Sequence, residues 1–168
     1  RKAKTINFGI IYGISAHGLA VRLGISRSEA ATYIEQYFQQ YPGINDYMEA
    51  SIAFARKHGY VETLFGRRCH VPGINGKGPM RAFSERAAIN APLQGTAADI
   101  IKRAMIAIDR NTPYKMLLQV HDELVFEVPE SQVEDAKTQV KKCMEGAASL
   151  SIPLVVECGH GHQWREAH

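Results

Sequence analysis

The spacing of apolar residues predicts that the first part of the chain is mainly helical. From residue 30 to residue 41, alanine and tyrosine recur at three- and four-residue intervals, which places them on one face of a helix. Ser26 and Glu29 have the spacing of a capping box, so this helix is predicted to begin after Ser26 and to end before Pro42. A further helical pattern runs from about residue 44 and stops at Gly59.

Shorter apolar runs predict two β-hairpins. Residues 60–64 and 69–71 flank one turn, and residues 116–118 and 124–128 flank a second turn that carries two adjacent acids. Runs of this length, rich in aliphatic and aromatic residues, are typical of strands. Each pair of runs is close enough in sequence to form an antiparallel pair.

Two more helical patterns lie around the second hairpin. One covers about residues 80–109, and it is predicted to be broken near Pro92, where the loss of a backbone donor should kink or split the helix. The other, at about residues 131–147, is amphipathic, and a closing strand is predicted after it at residues 153–158. Together these elements predict an α+β fold, with a helical lobe and a small antiparallel sheet packed on helices.

Composition narrows the class of protein. The 168 residues, 45% of them hydrophobic, are enough to bury a core of ordinary size. No apolar run has the length of a membrane span, and residues 1–4 begin no signal peptide, so no membrane association and no export are expected. Cys69, Cys143 and Cys158 are an odd number without close pairing, which favours free thiols in a reducing, cytoplasmic compartment.

Charge is distributed unevenly along the chain. Residues 1–115 carry 16 Lys and Arg against 8 Asp and Glu, whereas residues 116–168 carry 4 against 9. The corresponding net charges are +8 and −5. A basic part joined to an acidic part is typical of a protein that binds a polyanion with the first and a metal with the second, although surface charges can also segregate without function.

One candidate site lies in the first helix. Lys4, Phe8 and Tyr12 are four residues apart, so a helix ending near Gly13 places them on one face. A cation followed by two rings suits a nucleotide, because the charge can bind phosphates and the rings can flank the base. The alternative is that the rings simply pack into the core.

A second candidate site lies on the long helix. Arg86 and Asn90 are one turn apart, and Gln94 follows just beyond Pro92. Their side chains can donate hydrogen bonds to the acceptors that every base pair presents in the minor groove, which allows contact with a duplex of any sequence. The alternative is local hydrogen bonding around a kinked helix.

The third candidate is the acidic turn of the second hairpin. Asp122 and Glu123 are adjacent, and neighbouring strand residues face opposite sides, so both cannot point at one ion unless the turn twists. Asp122 is therefore predicted to be a metal ligand and Glu123 a more peripheral acid. The alternative is a solvated hairpin tip without a ligand.

A different function is indicated by residues 19–30. Two short helical patterns there flank a turn at Gly24, which is typical of a helix-turn-helix. This arrangement would make the chain a sequence-specific DNA-binding module without catalysis. It leaves the acidic hairpin and the stripe of Lys4, Phe8 and Tyr12 without an explanation.

Three segments together resemble a known family. Residues 4–13, residues 85–99 and residues 119–123 are similar, in order and spacing, to the C-terminal polymerase region of family A DNA polymerases of the bacterial DNA polymerase I type. The resemblance spans essentially the whole chain. It implies a helical fingers subdomain at residues 1–65 and part of a palm subdomain at residues 66–168.

The resemblance also implies roles for the first stripe. Lys4 would hold the triphosphate of an incoming deoxynucleotide and assist proton transfer to the leaving pyrophosphate. Phe8 would flank the sugar and base, and Tyr12 would guard the templating position. The triphosphate-binding arginine of the family falls just before Arg1, and Arg1 itself is out of register by one residue.

For DNA, the resemblance implies that the residues on the long helix contact the primer-template minor groove near the new base pair: Arg86, Asn90 and Gln94. Gln119 and His121 would lie beside the primer end. Asp122 would bind Mg²⁺ with support from Glu123, as one part of a two-ion site that serves attack of the primer 3′-hydroxyl on the α-phosphate.

The implied activity is that of a DNA-directed DNA polymerase used in DNA replication and repair. Its partners would be primer-template DNA, deoxynucleoside triphosphates and the remaining polymerase domains of a longer chain, which would act as a monomer. The family also uses an aspartate upstream of the fingers, which these 168 residues do not contain. They are therefore expected to be inactive alone, and a catalytically silent relative stays a further alternative.

Overall fold

The computed structural model describes residues 2–167, with only the backbone described at residues 2, 4 and 5. The chain divides into two compact units, Arg1–Thr96 and Ala97–His168. Their helices and two small antiparallel hairpins form an α+β fold, which confirms the predicted fold class. Among the described residues, no helix combines the length and apolarity needed to cross a membrane.

The first unit consists of helices and one hairpin. The elements in chain order are α1 (Lys2–Ile11), α2 (Ala16–Leu23), α3 (Arg27–Gln40), α4 (Pro42–His58), β1 (Tyr60–Glu62), β2 (Arg68–His70) and the beginning of α5 (Gly78–Asn111). Residues from α4, the hairpin, the loop after it and α5 share one core cluster, which contains Ala55, Val61, Val71, Ile74 and Ala88. The hairpin is therefore packed on helices.

The second unit contains the other hairpin. Its elements are the end of α5, β3 (Met116–Val120), β4 (Glu123–Phe126) and α6 (Val133–Glu145), with one-turn helices at Glu130–Gln132 and Trp164–Glu166. Strands β3 and β4 pair antiparallel, with a bulge between Met116 and Leu118. Ile108, Tyr114, Ala136 and Val140 are the buried members of its core.

The helix boundaries follow the local signals in the sequence. The Ser26 side chain accepts a hydrogen bond from the Glu29 amide at 3.1 Å, so α3 begins where the capping box predicts. Helix α4 ends at Gly59, which adopts a left-handed conformation (φ 76°) that glycine reaches without steric cost.

The predicted split of the helix at Pro92 is wrong, because α5 continues through this residue. Proline removes the amide donor that would bond to the carbonyl of Ala88, and an outside donor reaches the carbonyl of the next residue, Ile89. The hydroxyl of Tyr47 in α4 donates to the carbonyl of Ile89 at 2.8 Å. Burial raises the pKa of Tyr47, so this hydroxyl stays protonated and able to donate.

The predicted closing strand is also wrong, since residues 153–158 form no strand in the described part of the chain. The amide of Val156 donates instead to the side chain of Glu145 at 3.1 Å. A strand requires a neighbouring backbone, and an apolar run alone supplies none.

The compact units divide at a different place from the predicted subdomains. The boundary falls between Thr96 and Ala97, whereas residues 1–65 and 66–168 were predicted as fingers and palm. The hairpin of β1 and β2 packs with α4, so compactness groups it with the preceding helices. Compactness alone does not define functional subdomains, and the fingers and palm assignment stays a prediction.

A hydrogen-bonded pair stabilises the second unit. The buried Tyr114 hydroxyl donates to the Asp135 carboxylate, which also accepts from Gln139 at 2.7 Å. The bond from Tyr114, followed by that from Gln139, lowers the pKa of Asp135 from its ordinary value of 3.8. The bond to Asp135 correspondingly raises the pKa of Tyr114 from 10.0.

We expect Tyr114→Phe to raise the pKa of Asp135 toward 3.8, because the ionised carboxylate loses its strongest donor. A lowered pKa contributes stability above the ordinary value that is lost as the pH falls through the folded-state value. The stability advantage of the native protein over the variant should therefore shrink in acid below about pH 4. An NMR titration of the Asp135 carboxyl carbon measures the shift, and Tyr47→Phe, which does not touch Asp135, should leave it unchanged.

Candidate functional site

The end of α1 lies directly against α5. Gly13 follows the helix with φ 75°, a conformation that favours glycine. A Cβ on Gly13 would lie 3.2 Å from Cδ1 of Ile89 and 3.5 Å from Cγ of Arg86. The chain therefore turns here close to α5, in a space where a side chain at residue 13 would crowd Ile89.

Tyr12 is bonded to two of the residues predicted for DNA binding. The side-chain amide of Asn90 donates to the Tyr12 carbonyl at 3.3 Å and to the carbonyl of Arg86 at 2.7 Å. The amide of Gln94 donates to the Tyr12 hydroxyl at 2.9 Å. The structure thus brings together Tyr12, predicted for the nucleotide site, and Asn90 and Gln94, predicted for the minor groove, while the Arg86 side chain is exposed beside them.

The aromatic stripe of α1 is not its core face. Ile10 is buried and Ile6 packs against the core of the first unit, whereas Phe8 is 50% exposed. The rings of Phe8 and Tyr12 lie 6.1 Å apart, with 31° between their planes. An exposed ring beside an anchored tyrosine leaves an apolar surface on which a base can stack. Lys4 belongs to α1, but its side chain lies outside the described part of the residue.

We expect Asn90→Ala to loosen the turn after α1. The variant loses both bonds of a partly buried amide, at a cost of about 1–2 kcal/mol. Hydrogen exchange at the amides of Gly13 and Ile14, which close the helix on Ile10 and Gly9, should become faster. Gln94→Ala, which removes one exposed bond, should have a smaller effect, and equal exchange in all three proteins would contradict this role of Asn90.

The second hairpin ends in a two-residue turn at His121 and Asp122, because Val120 pairs with Glu123. His121 has φ 53°, the only positive φ at a residue other than glycine in the described chain. Non-glycine residues rarely adopt this conformation, and it recurs at functional sites. The side chain of Gln119 donates to the His121 carbonyl at 2.9 Å, so it supports the turn.

This turn presents Asp122 and Glu123 to solvent. No group of three acids, histidines or cysteines arranged for a metal occurs among the described residues. Mg²⁺ usually binds through one or two carboxylates together with substrate phosphates and water. The donor set at the turn therefore matches the protein's share of such a site, and does not by itself form a closed one.

Sequence reasoning missed how closely the first hairpin approaches α5. The Leu64 amide donates to the hydroxyl of Thr96 at 2.9 Å, and Arg67 donates to the carbonyl of Gly95 at 3.0 Å. A Cβ on Gly95 would lie 2.7 Å from Cγ2 of Thr63. The signal in the sequence was Gly95 itself, a glycine inside a helical pattern, which often marks a close approach.

The helix-turn-helix pattern is present as local geometry. Helices α2 and α3 are joined through Gly24, which has φ 68°, and they pack through Leu19, Ala20 and Ala30. Such an arrangement also occurs in helical proteins that do not read DNA. Local geometry therefore does not decide between the two functions.

Comparison with known proteins decides the family. The model of DNA polymerase family A matches residues 1–166. The chain is 55% identical to DNA polymerase I of Pseudomonas aeruginosa over 174 aligned positions and 53% identical to DNA polymerase I of Rhizobium leguminosarum over 180. It belongs to DNA polymerase family A, which favours the polymerase interpretation over the helix-turn-helix alternative.

A solved structure is similar to this chain along almost its whole length. The POL domain of Pol1 from M. smegmatis, in complex with DNA primer-template and dNTP, matches 99% of this chain with a TM-score of 0.94 and 43% identity. That match covers 30% of the solved chain. The whole chain aligns with the two DNA polymerase I relatives. It spans 19% and 18% of their lengths, which is about a fifth.

Proposed function

We propose that the protein is a DNA-directed DNA polymerase that adds deoxynucleotides to a primer 3′ end by Mg²⁺-dependent nucleotidyl transfer, in DNA replication and repair. Family membership and the names of the relatives support this activity. The observation that carries it is the bonded group of Tyr12, Asn90 and Gln94. It joins a ring suited to a base with amides suited to a minor groove.

In the first unit, the proposal assigns nucleotide binding to α1. Phe8 and Tyr12 offer ring faces to the sugar and base, and Lys4, one turn before Phe8, holds the triphosphate. An ammonium group at a triphosphate neutralises charge that develops on the leaving pyrophosphate and can donate a proton to it. The turn at Gly13 fixes the end of this helix.

The same unit is assigned the minor-groove contact. Gln94 uses one amide hydrogen to hold Tyr12, and an amide carries two of them, so Gln94 can also donate to a base edge. Asn90 donates both of its amide hydrogens, to the carbonyls of Tyr12 and Arg86, so its contact with a base edge requires the exchange of one of these bonds. Arg86, exposed one turn before Asn90, adds a charged donor. Donors of this kind can bond to the minor-groove acceptors that every base pair presents, which suits an enzyme that copies any sequence.

In the second unit, the proposal assigns metal binding and the primer end to the hairpin turn. Asp122 would hold Mg²⁺, and Glu123 would support it from the first residue of β4. When bound, the ion supplies neutralisation of phosphate charge. The bond from Gln119 and the positive φ at His121 set the direction of the turn. Both residues are therefore positioning residues as well as candidates for contact with the primer.

Lys4→Ala in the full-length protein tests the nucleotide assignment. We expect kcat/KM for a deoxynucleoside triphosphate to fall by about 10- to 100-fold, because one phosphate-binding charge and a candidate proton donor are removed. Single-nucleotide incorporation on a primed template measures it. Lys77→Ala, which removes an exposed lysine from the loop before α5, is the matched control. Equal kcat/KM in both variants would remove Lys4 from the mechanism.

A further inference from the structure

Four aromatic side chains form a continuous row on the surface of the first unit. Phe54 and His58 lie on successive turns of α4, with ring centroids 4.3 Å apart. Tyr60 of β1 lies 5.7 Å from Phe54 and 5.9 Å from His58, and His70 of β2 lies 6.1 Å from Tyr60. We call these four residues the aromatic row.

The aromatic row is not what holds the hairpin to the helix. Its neighbours in sequence, Ala55 and Val61, are buried and make the core contacts. Phe54 is 38% exposed, and both histidines are exposed. The rings therefore cover the outside of a packed element, where they remain accessible.

The surface around the aromatic row carries more basic than acidic residues. Residues 54–70 contain four Lys and Arg but one acid, Glu62, and Arg56 pairs with a second acid, Glu85, at 2.5 Å. The Arg68 guanidinium lies 4.6 Å from the centroid of the Tyr60 ring while it pairs with Glu62. Lys57, in the last turn of α4, is exposed next to His58. The surface thus combines exposed or partly exposed rings with the positive charges of Lys57 and Arg68.

We propose that the aromatic row binds single-stranded DNA. Exposed rings interspersed with Arg and Lys are the arrangement that stacks unpaired bases and attracts the phosphates between them, without preference for sequence. A duplex cannot use such rings, because its base faces are already stacked on one another. The aromatic row shares no residue with the group of Tyr12, Asn90 and Gln94 and does not require nucleotidyl transfer, so the proposal goes beyond the proposed activity.

Binding of a fluorescent oligo-dT to the full-length protein tests the proposal. The double variant Phe54→Ala with His58→Ala should weaken binding by about tenfold or more, since each lost stacking contact has a large effect on affinity. Phe54→Tyr, which keeps a ring, should retain most of the affinity. Tyr33→Ala removes a ring of similar exposure, 40% against 38%, outside the row and should change nothing.

A second readout locates the bound strand. Oligo-dT containing 4-thiothymidine should, on irradiation, crosslink to peptides from residues 54–70. Unchanged affinity in the double variant, or crosslinks that leave these residues unmodified, would overturn the proposal.

If the double variant loses hydrogen-exchange protection in the hairpin, Lys57→Glu decides instead, because an exposed lysine can be replaced without disturbing the core. The affinity of the Lys57→Glu variant for oligo-dT should fall and should depend less on salt. Native affinity with native salt dependence would overturn the proposal.

Discussion

Asp122→Ala in the full-length protein should lower the rate of nucleotide incorporation by about 10³-fold or more, while the affinity for primer-template duplex stays nearly unchanged. The carboxylate lies at an exposed turn, so its loss leaves no buried group without a partner and should not unfold the hairpin. The turn is also held from elsewhere, by the bond from Gln119 to the His121 carbonyl. A change in the rate alone therefore reports on chemistry.

Two control variants separate charge from position. Glu127→Ala removes an exposed carboxylate just after β4 and should leave incorporation near the native rate. Asp122→Asn keeps the shape of the side chain and should be nearly as inactive as the alanine variant, because a neutral amide is a poor ligand for Mg²⁺. Pre-steady-state incorporation gives the rate, and fluorescence anisotropy gives the affinity. An Asp122→Ala enzyme with the native rate would remove the metal-ligand assignment.

Sequence alone was sufficient wherever structure depends on neighbours along the chain. The cap at Ser26, the stop at Gly59 and the pairing of two short hairpins follow from side chains within a few residues. The order and spacing of three motifs were likewise enough to indicate the family. The bonds from Asn90 and Gln94 to Tyr12 were not predicted, since they join residues about 80 positions apart.

The two wrong elements share a physical cause. Whether Pro92 breaks a helix depends on what surrounds it, and Tyr47 lies far away in sequence. Whether residues 153–158 form a strand depends on a neighbouring backbone. The aromatic row was missed in the same way, because His70 lies beside Tyr60 only when β1 and β2 pair. Side-chain roles in binding and catalysis stay predictions, since they depend on partners that the fold alone does not supply.

Gly95→Ala should destabilise the contact between the first hairpin and α5. The new methyl group would lie 2.7 Å from Cγ2 of Thr63, which is 5% exposed, and 3.1 Å from Nη2 of Arg67. Overpacking of this kind costs about 1–3 kcal/mol, and alanine gains roughly 1 kcal/mol over glycine inside a helix, so the net cost is up to about 2 kcal/mol. The bond from Leu64 to Thr96 should open more often, and hydrogen exchange at the Leu64 amide should become faster, by up to about 30-fold.

Adding Thr63→Ser to Gly95→Ala should restore most of the lost protection. Serine lacks the methyl group that clashes but keeps the hydroxyl that accepts from the Arg67 amide at 3.1 Å. Gly43→Ala is a control in which the change in stability has the opposite sign. Residue 43 lies in α4, and a Cβ there would meet nothing within 4 Å. The substitution should stabilise the protein by about 0.5–1 kcal/mol without changing exchange at Leu64. Native exchange in the Gly95→Ala variant would show that Gly95 is not required for this approach.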